Sequence, residues 1–215
     1  MKKNYHIIKN IVSKELCEFL TNYSFVGRKA LLEIRKENLL SHFDYKFGSF
    51  GDTQFSEPIY CIYGDPAFDT LLLKLHPVVE KKIKNKLVLN HSYMRIYEKG
   101  VTLHKHKDKD SCKVSLTVNL GGDRWPIYLE PNTKKGKVKN NIYYPSKSKG
   151  IKIELLPGDA LVYDGVEMEH WREKFEGNFC VQVFLHYSLK NKETIKTIYD
   201  GRKALGLWAA LKDIK

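Results

Sequence analysis

The pattern of apolar and polar positions changes character at about residue 88. Ahead of it, apolar residues recur at helical spacing. "SKELCEFLTNYS", residues 13–24, places Leu16, Phe19 and Leu20 at i, i+3 and i+4 behind Ser13 as N-cap, and predicts a helix. A second helical patch covers roughly 28–40. Residues 64–87 carry the stripe Leu71, Leu72, Leu75, Val78, Val79 and Ile83 behind Asp65 and Pro66. That stripe predicts another helix, which Pro77 would kink or split in two.

Beyond residue 88, "LVLNHSYMRIYEKG", "CKVSLTVNLGG", "WPIYLEP", "GIKIELLPGDALVYDG" and "NFCVQVFLHYSL" are short runs of β-branched and aromatic residues divided by Gly, Pro, Asn and Asp. No helices intervene of the kind that parallel crossovers need, so the runs predict an antiparallel sandwich or barrel. The Lys-rich stretch 132–152, with Tyr143 and Tyr144, predicts a long mobile loop near the barrel mouth. Residues 192–214 return to helical texture, with Leu205, Leu207, Trp208 and Leu211 as the apolar set. The expectation is one mainly β domain with flanking helices (α+β): a helical flank over 1–87, a β core over 88–190, and a C-terminal helix over 191–215 packing on that core.

Composition narrows this only a little. Hydrophobic residues at 42%, 12% of the chain being aromatic, belong to a folded protein. Lys and Arg outnumber Asp and Glu by 37 to 25, a net charge of +12. The excess suits an acidic partner such as nucleic acid, or an anionic substrate, and equally suits exposed lysines that only confer solubility. Cys17, Cys61, Cys112 and Cys180 are scattered without a CxxC pair and read as free thiols. The first 20 residues lack a signal-peptide pattern, and no run approaches the roughly 18 apolar residues of a membrane span. The expectation is a cytoplasmic, intracellular protein with no membrane partner.

The chemistry concentrates in "LHKHKDKDSC", residues 103–112, where His104, His106, Asp108 and Asp110 alternate with lysines. On a strand, alternate residues share a face, so these four could converge. A His/Asp/His set with open positions suits a non-haem Fe(II) centre. Only His106-Lys107-Asp108 forms an HxD, and "LLPGDALVYDGVEMEHWREKFEG" supplies a later His170 behind a Pro157-Gly158 turn. The rival pattern, His104-Lys105-His106 with Asp110, is of cupin type.

The order HxD, Pro-Gly turn, strand and late His, with "YMRIYEKG" ahead of it, resembles the 2-oxoglutarate/Fe(II)-dependent dioxygenases, in particular their prolyl-4-hydroxylase-like branch. The resemblance covers about residues 91–188. It implies a double-stranded β-helix (jelly roll) core, Fe(II) held by His106, Asp108 and His170, and 2-oxoglutarate and O₂ as cosubstrates, with ascorbate as an optional reductant. The implied reaction is hydroxylation of a substrate C–H coupled to conversion of 2-oxoglutarate to succinate and CO₂. Asp108 argues against the halogenating variant, which replaces the carboxylate by a small residue. The resemblance also implies contacts to 2-oxoglutarate from Tyr97, nine residues before His106, and from Asn119.

The family's usual cation for the far carboxylate lies nine or ten residues after the distal His, where this chain has Phe179 and Cys180. Arg172 is the substitute on physical grounds. In an extended "HWRE" it shares a face with His170 at a step of roughly 7 Å, and its guanidinium can grip a carboxylate through two parallel hydrogen bonds. The alternative for Arg172 is a surface pairing with Glu169 or Glu173. Gln182 is a further cosubstrate contact from the next strand. Ser115, Thr117 and Asn119 form a polar row against apolar Val114, Leu116, Val118 and Leu120; the row lines a polar cavity or is the wet face of a one-sided sheet. Tyr93 and Arg95 share a face with Tyr97. His104 and Asp110 stand open between supporting the ligands, touching substrate and simply facing solvent. The substrate class is a small molecule or a peptide. The competing functions are a nucleic-acid oxidative demethylase of the same superfamily and a cupin-type metal or binding protein.

Overall fold

The computed structural model describes residues 5–52, 54–55, 58–139 and 142–208. β1 (Tyr5–Ile8) runs into α1 (Lys14–Lys36), then β2 (Ser49–Phe50), β3 (Tyr60–Tyr63), α2 (Pro66–Ile83), β4 (Leu87–Glu98) and β5 (Leu103–His106). After a 3-10 turn at Asp110–Cys112 come β6 (Val114–Gly122), β7 (Ile127–Glu130), β8 (Lys137–Lys139), β9 (Ile142–Tyr144) and β10 (Ile151–Ile153). β11 (Ala160–Tyr163), β12 (Glu169–Arg172), β13 (Phe179–Leu189) and α3 (Lys192–Lys196) complete the order. A seven-stranded sheet, β1-β11-β6-β13-β4-β3-β2, stands against a four-stranded one, β10-β7-β12-β5. The strand pairs are antiparallel. This is the antiparallel sandwich that the β texture predicts, and the jelly roll that the resemblance implies.

The alternation along β6 divides the molecule. Leu116, Val118 and Leu120 point outward and join Met94, Ile96, Val183 and Leu185 in one buried cluster with Leu20 and Leu31 of α1 and Phe68, Leu72 and Val79 of α2. Each such side chain taken from water contributes roughly 1.5–3 kcal/mol. Ser115, Thr117 and Asn119 point the other way, and all three are buried. In register they lie beside His186, Phe184 and Gln182 of β13, which in turn lie beside His91, Tyr93 and Arg95 of β4. The polar row is therefore interior lining between the two sheets, not a wet face.

Both N-caps form: Ser13 Oγ accepts from Leu16 N, and the Asp65 carboxylate accepts from Ala67 N and Phe68 N. The helices are longer than their patterns suggest. α1 fuses the two predicted patches, because Gly27 lies inside it where a Cβ would meet the Tyr60 hydroxyl. α2 runs unbroken through Pro77, which lies on its exposed face, as does Leu73, the residue whose carbonyl loses its donor; water can satisfy that oxygen. Residues 1–87 are not only helical, since β1, β2 and β3 extend the large sheet.

The Lys-rich stretch is not a free loop. β8 and β9 pair as a hairpin, and the segment after it is tied to the back of the small sheet. Buried Glu169 accepts from Tyr143 Oη at 2.7 Å, from Ser146 N at 2.8 Å and from Ser146 Oγ. Lys105 Nζ reaches Ser146 O and Ser148 O at 2.8 and 2.5 Å, and lies 4.2 Å from the Trp171 ring centroid. Lys107 Nζ donates to Thr133 O at 3.1 Å. These lysines, which alternate with the candidate ligands in the sequence, hold the insertion down.

The C-terminal segment differs too. α3 spans only five residues, and a 3-10 turn follows over Ile198–Gly201, in which Tyr199 and Asp200 have φ of 58° and 57°. Arg202 then donates to Asp69 Oδ2 at 2.8 Å and Asn90 O at 3.1 Å, both in buried surroundings. This charged clasp and Gly201 and Gly206 hold the segment irregular where a helix was expected; Leu211 lies outside the described residues.

Candidate metal centre

β12 pairs with β5 so that His170 and His106 stand directly opposite one another, with ring centroids 4.2 Å apart. Asp108 lies just past the end of β5, where its N–H donates to Gly165 O at 2.8 Å. Gly165 has no room for a side chain: a Cβ there would run into the Asp108 carboxylate, Ser115 Oγ and Cys112 O. The glycine leaves the notch in which Asp108 sits.

His106, Asp108 and His170 each offer one ligand atom, and these atoms lie within 4.8 Å of one another. Asp108 Oδ1 is 3.6 Å from His106 Nε2 and 3.5 Å from His170 Nε2. His106 Nδ1 is 2.8 Å from His104 O, and His170 Nδ1 is 3.0 Å from Met168 O. A carbonyl can only accept, so each Nδ1 carries a proton, and Nε2 is the ring nitrogen that each histidine turns toward Asp108. Burial works to raise the Asp108 pKa, but His170 and His106 outweigh it and hold the carboxyl well below the usual range. Burial, then the neighbouring His170, lowers His106. A carboxylate with an imidazole Nε2 turned toward it from either side is a donor set that a divalent ion can take.

His104 and Asp110, the remaining members of the alternating stretch, are exposed. His104 contributes its carbonyl to His106, and Asp110 opens the 3-10 turn. Among the described residues neither belongs to a group able to hold a metal, so the cupin-type ligand set is not assembled.

The ligands open onto a cavity of about 480 Å³ whose wall includes Tyr63, Tyr93, Arg95, Asp52, Gln54 and Tyr163. Arg95 on that wall is already neutralised, with Nη2 2.5 Å from Asp52 Oδ2 and 2.8 Å from Gln54 Oε1. Tyr93 Oη donates to the same Asp52 at 2.8 Å.

Arg172 lies one strand step beyond His170 and is 1% exposed. It pairs with neither Glu169 nor Glu173; among the described residues no carboxylate forms an ion pair with it. Its Nη1 donates to Trp125 O, its Nη2 to Gln182 Oε1 at 3.3 Å, and its Nε has no partner. Burial lowers its pKa, with Cys180 and Tyr97 opposing. The charge thus reaches β13 beside Cys180 and Gln182 from the opposite sheet. Leu103, its cross-strand neighbour, lines the cavity; Arg172 itself sits behind that wall.

The other candidates divide. Tyr97 is fully buried, its hydroxyl accepting from Arg95 Nη1 at 3.4 Å and its ring packed on Phe55 and Trp125. Thr117 Oγ1 is buried without a partner. Asn119 is committed to the backbone: Nδ2 donates to Leu155 O at 2.8 Å and Oδ1 accepts from Gly121 N at 3.1 Å. It supports the Pro157-Gly158 turn rather than opening to the cavity.

No protein-family model and no curated protein matches this sequence. Solved structures do. A prolyl-4-hydroxylase from Pseudomonas putida aligns at 13% identity and TM-score 0.52, over 88% of this chain and 95% of that one. The viral collagen prolyl hydroxylase of Paramecium bursaria Chlorella virus-1, a complex with 2-oxoglutarate, aligns at 14% and 0.54, over 86% and 96%. HygX from Streptomyces hygroscopicus, with nickel, 2-oxoglutarate and hygromycin B bound, aligns at 15% and 0.58, over 87% and 84%. The fold is that of the 2-oxoglutarate-dependent oxygenases.

Within this oxygenase fold, four contributors have no signal in the sequence. Tyr163 packs edge-on against His170 at 4.9 Å, and the charges of both Asp108 and Arg172 act on its hydroxyl. Gly165 is one glycine among 14 until its neighbours are known. Asp52 and Gln54 come from a loop without periodicity. Ser115 was legible only as lining; its hydroxyl lies 3.1 Å from Asp108 Oδ2.

Proposed function

We propose that the chain is a single-domain 2-oxoglutarate- and Fe(II)-dependent oxygenase that hydroxylates a small molecule or a peptide side chain. The observation that carries this reading is a pair of features in one interior: a His/Asp/His set whose ligand atoms lie within 4.8 Å of one another, and a buried arginine with no carboxylate partner among the described residues. A buried unpaired charge costs several kcal/mol, which an anionic ligand would offset. The comparisons support it by placing the fold among proteins crystallised with 2-oxoglutarate.

His106, Asp108 and His170 would hold Fe(II), and Arg172 with Gln182 would hold the far carboxylate of 2-oxoglutarate. The bound pair would supply O₂ activation coupled to oxidative decarboxylation, giving succinate and CO₂. The chain's part is orientation. The carbonyls of His104 and Met168 fix both imidazoles, Ser115 and Gly165 fix the carboxylate, and Tyr163 stands between metal ligand and cation. Tyr63, Tyr93 and the Arg95–Asp52 pair form the polar wall a substrate would meet. A cavity of about 480 Å³ shared with the cosubstrate suits a small molecule or one peptide side chain.

The test is succinate formation from 2-oxoglutarate by the purified chain with and without iron. Turnover should need iron and vanish in His106→Ala and Asp108→Ala. Iron-independent turnover, or full turnover in both variants, refutes the assignment.

A further inference from the structure

Behind the HxD ligands lies a second cluster that the proposed reaction does not use. His91 on β4 and His186 on β13 are cross-strand partners with ring centroids 4.6 Å apart, and Cys112 comes from the 3-10 turn after Asp108. One ligand atom from each lies within 4.8 Å of the other two, and all three residues are buried. They line the same cavity as His106, Asp108 and His170, so an ion has a way in.

Two features separate this cluster from ordinary core packing. His91 is only 3% exposed, and its buried Nδ1 makes no hydrogen bond; the nearest polar group to it is the Asp200 carboxylate at 3.6 Å. A structural histidine elsewhere in the chain is satisfied: His76 Nε2 lies 3.2 Å from Leu87 O and 3.5 Å from Glu80. His186 Nδ1 lies 3.1 Å from Ser115 Oγ, whose hydroxyl can donate to Asp108 Oδ2 or Cys112 O. With Nδ1 protonated toward Ser115, His186 keeps Nε2 as a free lone pair.

The electrostatics suit a cation in spite of Lys109. The Lys109 ammonium is 3.5 Å from Asp200 Oδ2, and the same carboxylate oxygen stands 3.6 Å from His91 Nδ1 and accepts from Tyr63 Oη at 2.5 Å. Burial holds both histidines neutral and the Cys112 thiol protonated in the metal-free protein. An ion would expel the thiol proton and take thiolate and imidazole lone pairs.

We propose that His91, Cys112 and His186 form a second metal site, with one position open to the cavity, for a borderline-soft divalent ion of the zinc class. Two imidazoles and one thiolate are the donors such an ion selects, whereas the His/Asp/His set beside it favours iron. Ser115 touches Asp108 in one site and His186 in the other, so the two centres share a hydrogen-bonded residue.

The experiment is a cobalt(II) titration of the metal-free full chain, counting bound ions and following the thiolate-to-cobalt charge-transfer band. The wild type should bind two ions, one of which brings the band. In His106→Ala/His170→Ala one ion and the full band should remain, and excess zinc should bleach it. Cys112→Ser should lose the band and keep one ion; His91→Gln should weaken the band-forming site by at least about tenfold. Circular dichroism establishes that each variant is folded. The wild-type titration decides the matter even where a variant is not: a saturated wild type without the band overturns the site. So does a band that survives in Cys112→Ser, or one that disappears with the His106/His170 pair in a folded variant.

Discussion

Arg172→Met separates a cation kept for a ligand from one that holds the fold together. In the free protein the guanidinium gains two hydrogen bonds, to Trp125 O and Gln182 Oε1. Bonds to a charged group contribute about 1.5–3 kcal/mol each. Against them stands a desolvation cost of several kcal/mol with no carboxylate to offset it. The terms nearly cancel, and methionine fills much of the volume with apolar, flexible atoms. The expected change in unfolding free energy is therefore within about 1 kcal/mol of zero, or up to about 2 kcal/mol stabilising. For a domain of this size that is a rise in Tm of up to roughly 4–8 °C. Ligand binding should respond in the opposite direction. Truncating one partner of a buried charge pair costs about 2–5 kcal/mol, so the Kd for 2-oxoglutarate should rise by roughly 30- to 5,000-fold. Thermal melts of the manganese-loaded protein with and without 2-oxoglutarate read both quantities. At 100 times the wild-type Kd the ligand adds about 2.7 kcal/mol to the wild type, and that shift should largely disappear in the variant. An Arg172→Met protein that loses more than about 3 kcal/mol without ligand, or that keeps the ligand-induced shift, refutes the reasoning.

Gly165→Ala should shift Asp108, since the added Cβ meets that carboxylate, Ser115 and the Cys112 backbone together. Overpacking of this kind costs about 1–3 kcal/mol, and metal affinity, measured by manganese titration, should fall about 10- to 100-fold; unchanged affinity would sink the notch argument. Glu169→Ala removes the acceptor of three hydrogen bonds that hold the Lys-rich hairpin. Trypsin should then cut within 132–152 far faster than in the wild type, with the catalytic core left intact on a gel. Acid should destabilise the metal-free protein through His186. Burial pushes His186 down from 6.5 to about 4. Between those values the unfolded chain holds a proton that the folded one does not, so stability rises with pH across this window and is fully present above it. Metal-free protein should lose about 3 kcal/mol between pH 6.5 and 4 from this residue, and His186→Gln should flatten that part of the pH–stability curve.

How far the sequence carries depends on whether a feature is written locally. The strands after residue 88 were legible because their alternation is a local consequence of having one face against helices and one against a cavity. His106 and Asp108 were legible as an HxD and His170 by its place after the Pro-Gly turn; the chain runs through β6 to β11 before β12 returns His170 to the side of His106. The contacts of Lys105 and Lys107 were not legible, because their partners, Ser146, Ser148 and Thr133, lie 26 or more residues away. Asn119 is a different case. Its strand position faces the interior as expected, but the neighbouring Pro157-Gly158 segment claims its amide first.

The same distinction bears on the cation proposed for the cosubstrate. Looking along β13 for a positive residue finds Phe179 and Cys180, and suggests that the anchor is missing. The interior, however, is filled from two sheets, and a long side chain on either can deliver charge to the same point. Arg172 does so from β12, ending beside Gln182 of β13. What the interior constrains is the position of the charge, not the strand that carries it. A residue of opposite sheet origin must then be recognised by its lack of a partner, and in this chain Arg172, buried and without a carboxylate among the described residues, meets that description where Arg95, held by Asp52, does not.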